Sequence, residues 1–267
     1  MNLSVMIKNM QELGYDSIDA SARVCQDIVL KAISKSSLSR NVTIKGGVLM
    51  RNMTQNIRRA TQDMDIDFIC YSLSDESIDY FIDKLNCLDE IEIKRDGKIV
   101  ELSQQDYNGK RVYIHISDQE GNFVDSKIDL GVHKHLEIEQ EEYCFDIAFD
   151  NEGASLLANT REQMFSEKLR SLLKLGSFST RYKDVYDMYY QCGKMNEEKL
   201  RQCLHTFIFD DLGMRENDMN AIVKRMENVF GDKAYVKRVD ISDKRWLDDD
   251  IQKIIDEILN YLRTINI

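Results

Sequence analysis

Apolar residues recur at roughly the 3.6-residue period along the first forty positions. In DSIDASARVCQDIVLKAISKSS they fall at Ile18, Val24, Ile28, Val29 and Ile33, a spacing that predicts helix. From NVTIKGG to YCFDIAF the texture changes to short β-branched runs broken by turn residues: VTIK, DIDFICY, EIEIKRD, KIVELS, RVYIHIS and VDSKIDLGV, each read as a strand. One helical pattern, SDESIDYFIDKLNCL, interrupts them. Beyond about residue 155 the strands cease. TREQMFSEKLRSLLKL, TRYKDVYDMYYQC, NEEKLRQCLHTFIFDD, RENDMNAIVKRMENVF and DDDIQKIIDEILNYLRTI read as successive helices. The expectation is an α+β protein, with a mixed β-sheet domain and N-terminal helices over 1–154 and an all-helical C-terminal domain over 155–267.

The stretch IKGGVLMRNMTQNIRRATQDMDIDF, residues 44–68, concentrates the candidate chemistry. Strand alternation puts Asp63, Asp65 and Asp67 on one face and Met64, Ile66 and Phe68 on the other. Three carboxylates on one face repel one another, and a divalent cation with oxygen ligands, Mg²⁺ or Mn²⁺, is the natural partner. A calcium loop of the EF-hand type is excluded, because its glycine and glutamate positions hold Phe68 and Ser74. Upstream, VTIK runs as a strand into Gly46-Gly47 and then a helix, a turn whose backbone N–H groups suit a phosphate. Between Asn41 and Gln62 stand Lys45, Arg51, Arg58 and Arg59 and no acid. Taken singly, each motif is better explained by a plain Gly-Gly turn or an acidic edge strand. Turn, helix, basic stretch and carboxylate strand in this order point instead to a nucleotide site.

Composition narrows the partners. With 47 acids against 36 bases and a net charge of −11, the chain is not built to coat nucleic acid or an anionic membrane, although a local basic region remains possible. No apolar run approaches the ~18 residues of a membrane span, and the first residues lack an apolar signal core, so a cytoplasmic location without membrane attachment is expected. The six cysteines form no C-x-x-C pair and read as buried thiols. His133 and His135 could share a strand face and a metal; with no cysteine or third histidine nearby, a solvated strand is the stronger reading.

The elements K-G-G and R-x-(S/T)-x-D-x-D, met by Lys45, Gly46, Gly47, Arg59, Thr61, Asp63 and Asp65, resemble the AbiEii type IV toxin family of the nucleotidyltransferase superfamily. EKLRSLLKL, with Glu167 and Lys168, and RYKDVYDMY, with Arg181, Asp184 and Asp187, continue the resemblance to about residue 190. It implies a nucleotidyltransferase-like catalytic sheet that takes NTP as substrate, and a cognate antitoxin as partner. Some relatives modify tRNA, so an RNA acceptor is implied as well. The resemblance also implies that Asp63 and Asp65 hold metal and that a third carboxylate follows on a later strand. For that carboxylate Asp129 in SKIDLGV is the choice, with Asp125 in reserve. Lys45, Gly46, Gly47, Arg59, Thr61 and Lys168 would contact the nucleotide, and Asp184 joins the catalytic set. By its helix position alone, Lys168 is more commonly explained as a snorkelling lysine flanking an apolar stripe, and Asp184 and Asp187 are as well explained as members of a surface ion-pair set. Residues 161–183 carry six bases against two acids, a local charge of +4 where a polyanion would bind. Transfer to a protein or small-molecule hydroxyl, and a catalytically silent partner-binding protein, are the rival readings.

Overall fold

The computed structural model describes residues 1–102 and 109–266, and the chain divides into two compact units, Met1–Asn159 and Thr160–Ile267. In the first, α1 (Leu3–Glu12) and α2 (Ser17–Lys35) precede β1 (Val42–Lys45), α3 (Gly46–Thr54), β2 (Met64–Phe68) and α4 (Asp75–Lys84). Then come β3 (Ile91–Leu102), β4 (Gly109–Asp118), β5 (Phe123–Val132), β6 (Glu141–Ile147) and β7 (Asp150–Ala158). Ser103, which ends the KIVELS run, lies outside the described residues.

Local chemistry starts these helices. The Asp16 carboxylate accepts from the N–H groups of Ile18 and Asp19 at the head of α2, and Ser74 caps α4 through Ser77 N–H. α2 is the central helix of its unit: it packs on β5, β6 and β7, and nearly every residue from Ala20 to Ile33 is buried. Ile18, counted with the apolar stripe from spacing alone, is exposed instead, because it sits in the first turn before the helix reaches the sheet.

The seven strands form one mixed sheet in the order β3-β4-β5-β2-β1-β7-β6. β2 runs antiparallel to β1 and parallel to β5, and β1 runs parallel to β7. One face carries Ile44, Ile66, Val112, Ile114, Ile128 and Leu130, all buried. Each such side chain contributes about 1.5–3 kcal/mol of burial. Phe68 meets Phe81 of α4 edge-on, with ring centroids 5.2 Å apart, which fixes α4 over β2.

Three expectations change. EIEIKRD and KIVELS are one strand with an irregularity between Asp96 and Val100, where Gly97 takes φ +67°. Strand β7 was not anticipated: its GASLLA segment lacks β-branched residues, and it carries the sheet through the 154/155 boundary to Ala158. Only Cys25 and Cys203 are buried; Cys70, Cys87 and Cys144 are exposed thiols on loops or the outer side of an edge strand.

The second unit holds α5 (Arg161–Leu175), α6 (Tyr182–Gln191), α7 (Glu197–Leu204), α8 (Met219–Gly231), α9 (Lys233–Asp240) and α10 (Ile251–Thr264). A π-helical turn, His205–Phe209, follows α7. Among the described residues no helix is long and apolar enough to cross a membrane.

Candidate active site

β1 delivers the chain into the glycine turn. Lys45 is the N-cap residue of α3, and its side chain has no oxygen to cap the first turn, so it makes no side-chain cap hydrogen bond. Gly46 has φ +64°, and a Cβ there would collide with the Asp65 carboxylate. A Cβ on Gly47 would collide with Oγ1, Cβ and Cγ2 of Thr61. Both glycines are thus dictated by close approach: the turn is pressed against the segment that carries the aspartates.

Register then sets the carboxylates. Lys45 lies opposite Asp65 across β1 and β2, and Asp65 lies opposite Asp129 across β2 and β5. Asp125 is farther along β5, opposite His115, with the ring nitrogen Nδ1 2.7 Å from its carboxylate. Burial pushes the Asp65 carboxyl up to about 6; Lys45 opposes the shift, while Asp129, Asp63 and Asp67 add to it.

The neighbouring acids are held by bases. Lys45 Nζ sits 2.8 Å and 2.7 Å from the two oxygens of Asp67, and both residues are buried. Lys127 Nζ reaches Asp63 at 2.8 Å. Arg111 grips Asp129 with Nε at 2.7 Å and Nη2 at 2.8 Å, and that hydrogen bonding raises the guanidinium pKa still further.

The basic stretch read from the sequence is therefore not an open cationic surface. Lys45 is spent on Asp67, and Arg51 is buried against Asp27 at 3.3 Å. Arg59 is buried as well, and Arg58 is exposed. His133 and His135 share no strand face: both follow the end of β5, and His133 is buried with Nε2 3.1 Å from Ile138 O.

Spacing did not reveal what holds Thr61. Gln26, buried on α2, donates from Nε2 to Thr61 O at 2.8 Å, and its Oε1 accepts from Arg51. Asp27 accepts from Arg23 Nε at 2.9 Å and from Ala148 N–H at 3.0 Å. Burial raises the Asp27 pKa and lowers that of Arg51 to about 10. The available signal was Arg23, Gln26 and Asp27 at i, i+3 and i+4, which pattern alone assigns to a solvated face.

In the second unit, Lys168 Nζ lies 2.5 Å from Asp184 Oδ1 and 2.8 Å from Asp187 Oδ2. Trp246 Nε1 donates to the other oxygen of Asp187 at 3.1 Å, and Arg181 Nε lies 3.4 Å from Asp184. This cluster is far less exposed than a helix-surface set. The +4 segment is partly neutralised by an acid outside it, since Arg170 Nε donates to Asp211 at 2.8 Å.

Oxygen donors at Asp63 and Asp65 fit a hard divalent cation, and the Asp65 carboxyl is raised first by burial and then by the neighbouring acids. Among the described residues no group of three His, Cys, Asp or Glu side chains is arranged to hold a metal ion, and Lys127 and Arg111 are paired with Asp63 and Asp129. The chemistry of the pair fits the ion, with Asp63 held by one half-buried lysine and the third carboxylate by both arms of a guanidinium.

The family described as nucleotidyl transferase AbiEii toxin of type IV toxin–antitoxin systems matches residues 28–262. Among solved structures, the antibiotic-resistance factor ANT(2'')-Ia is similar at 13% identity and a TM-score of 0.42, over 70% of this chain and 90% of that one. No curated protein matches the sequence.

Proposed function

This chain belongs to the AbiEii family of nucleotidyl transferase toxins, and from that premise we propose that it transfers a nucleotide from an NTP to a hydroxyl of RNA, tRNA included, under divalent-metal dependence. Membership makes the protein a nucleotidyltransferase and implies an NTP substrate and an antitoxin partner. One observation supports the site assignment: the two glycines are shaped by contact with Asp65 and Thr61, so phosphate turn and carboxylate strand are built as one piece.

In this reading unit 1 is the catalytic domain and the helices of unit 2 form an all-helical C-terminal domain. The N–H groups at Gly46 and Gly47 bind triphosphate oxygens at the positive end of α3. Asp63 and Asp65 hold Mg²⁺ or Mn²⁺. A bound ion supplies charge to the triphosphate and lowers the pKa of the attacking hydroxyl. Asp129 completes the carboxylate set, and Thr61 and Arg59 flank the turn. Within unit 2, Lys168 is held by Asp184 and Asp187, the cluster that carries the family resemblance there. Catalysis is positioning and electrostatics, as phosphoryl chemistry requires. As the toxin of a phage-abortive pair acting in the cytoplasm, it would be restrained by its antitoxin.

Purified protein and Asp65→Asn, incubated with each labelled NTP, Mg²⁺ or Mn²⁺ and total RNA, test the reading. Label in RNA with wild type alone is the expected result. Label on protein or small molecules would move the acceptor to those classes, and no transfer with any NTP would reject the enzyme.

A further inference from the structure

Each acid beside Asp65 has a basic partner, yet the three pairs differ in kind. Lys45 and Asp67 are both less than a tenth exposed, a permanent element of the sheet. Lys127 and Asp63 make one contact at 2.8 Å with side chains 33% and 54% exposed, which water screens and an ion displaces at little cost. Arg111 and Asp129 lie between these extremes. The register of β4 and β5 sets them directly opposite, both carboxylate oxygens are taken by the guanidinium fork, and the carboxylate is 10% exposed against 28% for the arginine.

We propose that Arg111 is an internal cation that competes with a divalent metal ion for Asp129. The proposal rests on the reading of Asp63 and Asp65 as the metal-holding pair and adds a positioning residue to it. Arginine keeps its charge at every accessible pH, so Asp129 is freed by movement of Arg111 rather than by titration. The same planar fork that matches a carboxylate matches a phosphate. A triphosphate arriving beside Asp65 is therefore the group able to draw Arg111 off Asp129. Nucleotide and a metal ion at Asp129 are then linked: each raises the affinity for the other by the same factor. Arg111 keeps the third carboxylate neutralised until nucleotide is present.

Mn²⁺ binding to the full-length protein without nucleotide, followed by electron paramagnetic resonance, tests this independently of activity. Arg111→Gln should bind Mn²⁺ about 10-fold more tightly than wild type, the loss of a charge-assisted bidentate pair. Adding Asp129→Asn should remove the gain. ATP should raise the Mn²⁺ affinity of wild type more than that of Arg111→Gln, after correction for Mn²⁺ bound to free nucleotide. Melting curves show which variants fold. If Arg111→Gln does not, Arg111→Lys keeps the charge without the fork and should show a smaller gain. An unchanged Mn²⁺ titration in a folded Arg111 variant overturns the proposal. Asp65→Asn separates the two claims. Loss of wild-type Mn²⁺ binding in that variant leaves the metal pair standing whatever Arg111 does, and its retention removes the pair and the proposal together.

Discussion

Asp65 is held in an ionised state that the fold resists. Its carboxyl is raised from 3.8 to about 6, first by burial and then by Asp129, Asp63 and Asp67 against the pull of Lys45. The folded protein thus binds a proton more readily than the unfolded chain, and the stability this lends is complete below about pH 4 and lost as pH rises through about 6. Asp65→Asn should abolish transfer yet melt a few degrees higher at pH 7, by on the order of 1–2 kcal/mol, with the advantage gone near pH 4. Thermal melts at the two pH values check it, and a variant that melts lower at pH 7 contradicts the crowding argument. Gly47→Ala should raise the KM for NTP about 10-fold by driving Thr61 away, and Thr61→Gly in that background should recover part of the loss. NTP saturation curves decide, and a wild-type KM in Gly47→Ala would show that the contact with Thr61 is dispensable. At this scale the alternation of the aspartates and the glycine turn were readable from spacing. The partners were not: Lys45 with Asp67, Arg111 with Asp129 and Gln26 with Thr61 depend on register and packing, which bring together residues 22, 18 and 35 positions apart.

At the scale of elements, period separated the helices and most strands, and it failed where packing outweighed propensity. β7 is built from GASLLA because β1 and β6 supply its ladders, and α2 buries Arg23, Gln26 and Asp27 because sheet and glycine helix surround it. Helix α5 carries two lysines whose fates differ. Lys168 faces Asp184 and the fully buried Asp187, whereas Lys174 is exposed near the end of the helix. Lys168→Met takes the ammonium away from buried Asp187, which keeps the Trp246 indole N–H, and should cost about 3–5 kcal/mol, while Lys174→Met should stay within about 0.5 kcal/mol. Asp187→Asn should restore part of the stability in the Lys168→Met background without restoring transfer. Denaturant titrations of the four proteins measure both effects. Equal stability of the two lysine variants would mean that the Lys168 cluster does not hold the helices.

For the whole molecule the governing number is the net charge of −11, which repels any polyanion at long range. If RNA is the acceptor, as proposed, its binding must come from local cations, and the structure shortens the set that a count of residues 161–183 provides. Lys168 is held against Asp184 and Asp187 and Arg170 holds Asp211, while the exposed cations Lys174 and Arg181 lie beside Asp211 and Asp184 respectively. Few phosphate contacts imply a shallow salt dependence, each contributing about 0.7 to the log–log slope for a single strand. Lys174→Gln with Arg181→Gln should reduce that slope by about 1.4 while leaving the affinity for NTP, which the proposed reading assigns to the glycines and aspartates, unchanged. Arg170→Gln should instead lower stability by leaving Asp211 without its guanidinium, and alter the slope little. RNA binding across a salt series, with melting curves for each variant, distinguishes the two outcomes. A slope identical in wild type and the double variant would place the acceptor's phosphates elsewhere, and RNA affinity absent at low salt would favour a protein or small-molecule hydroxyl.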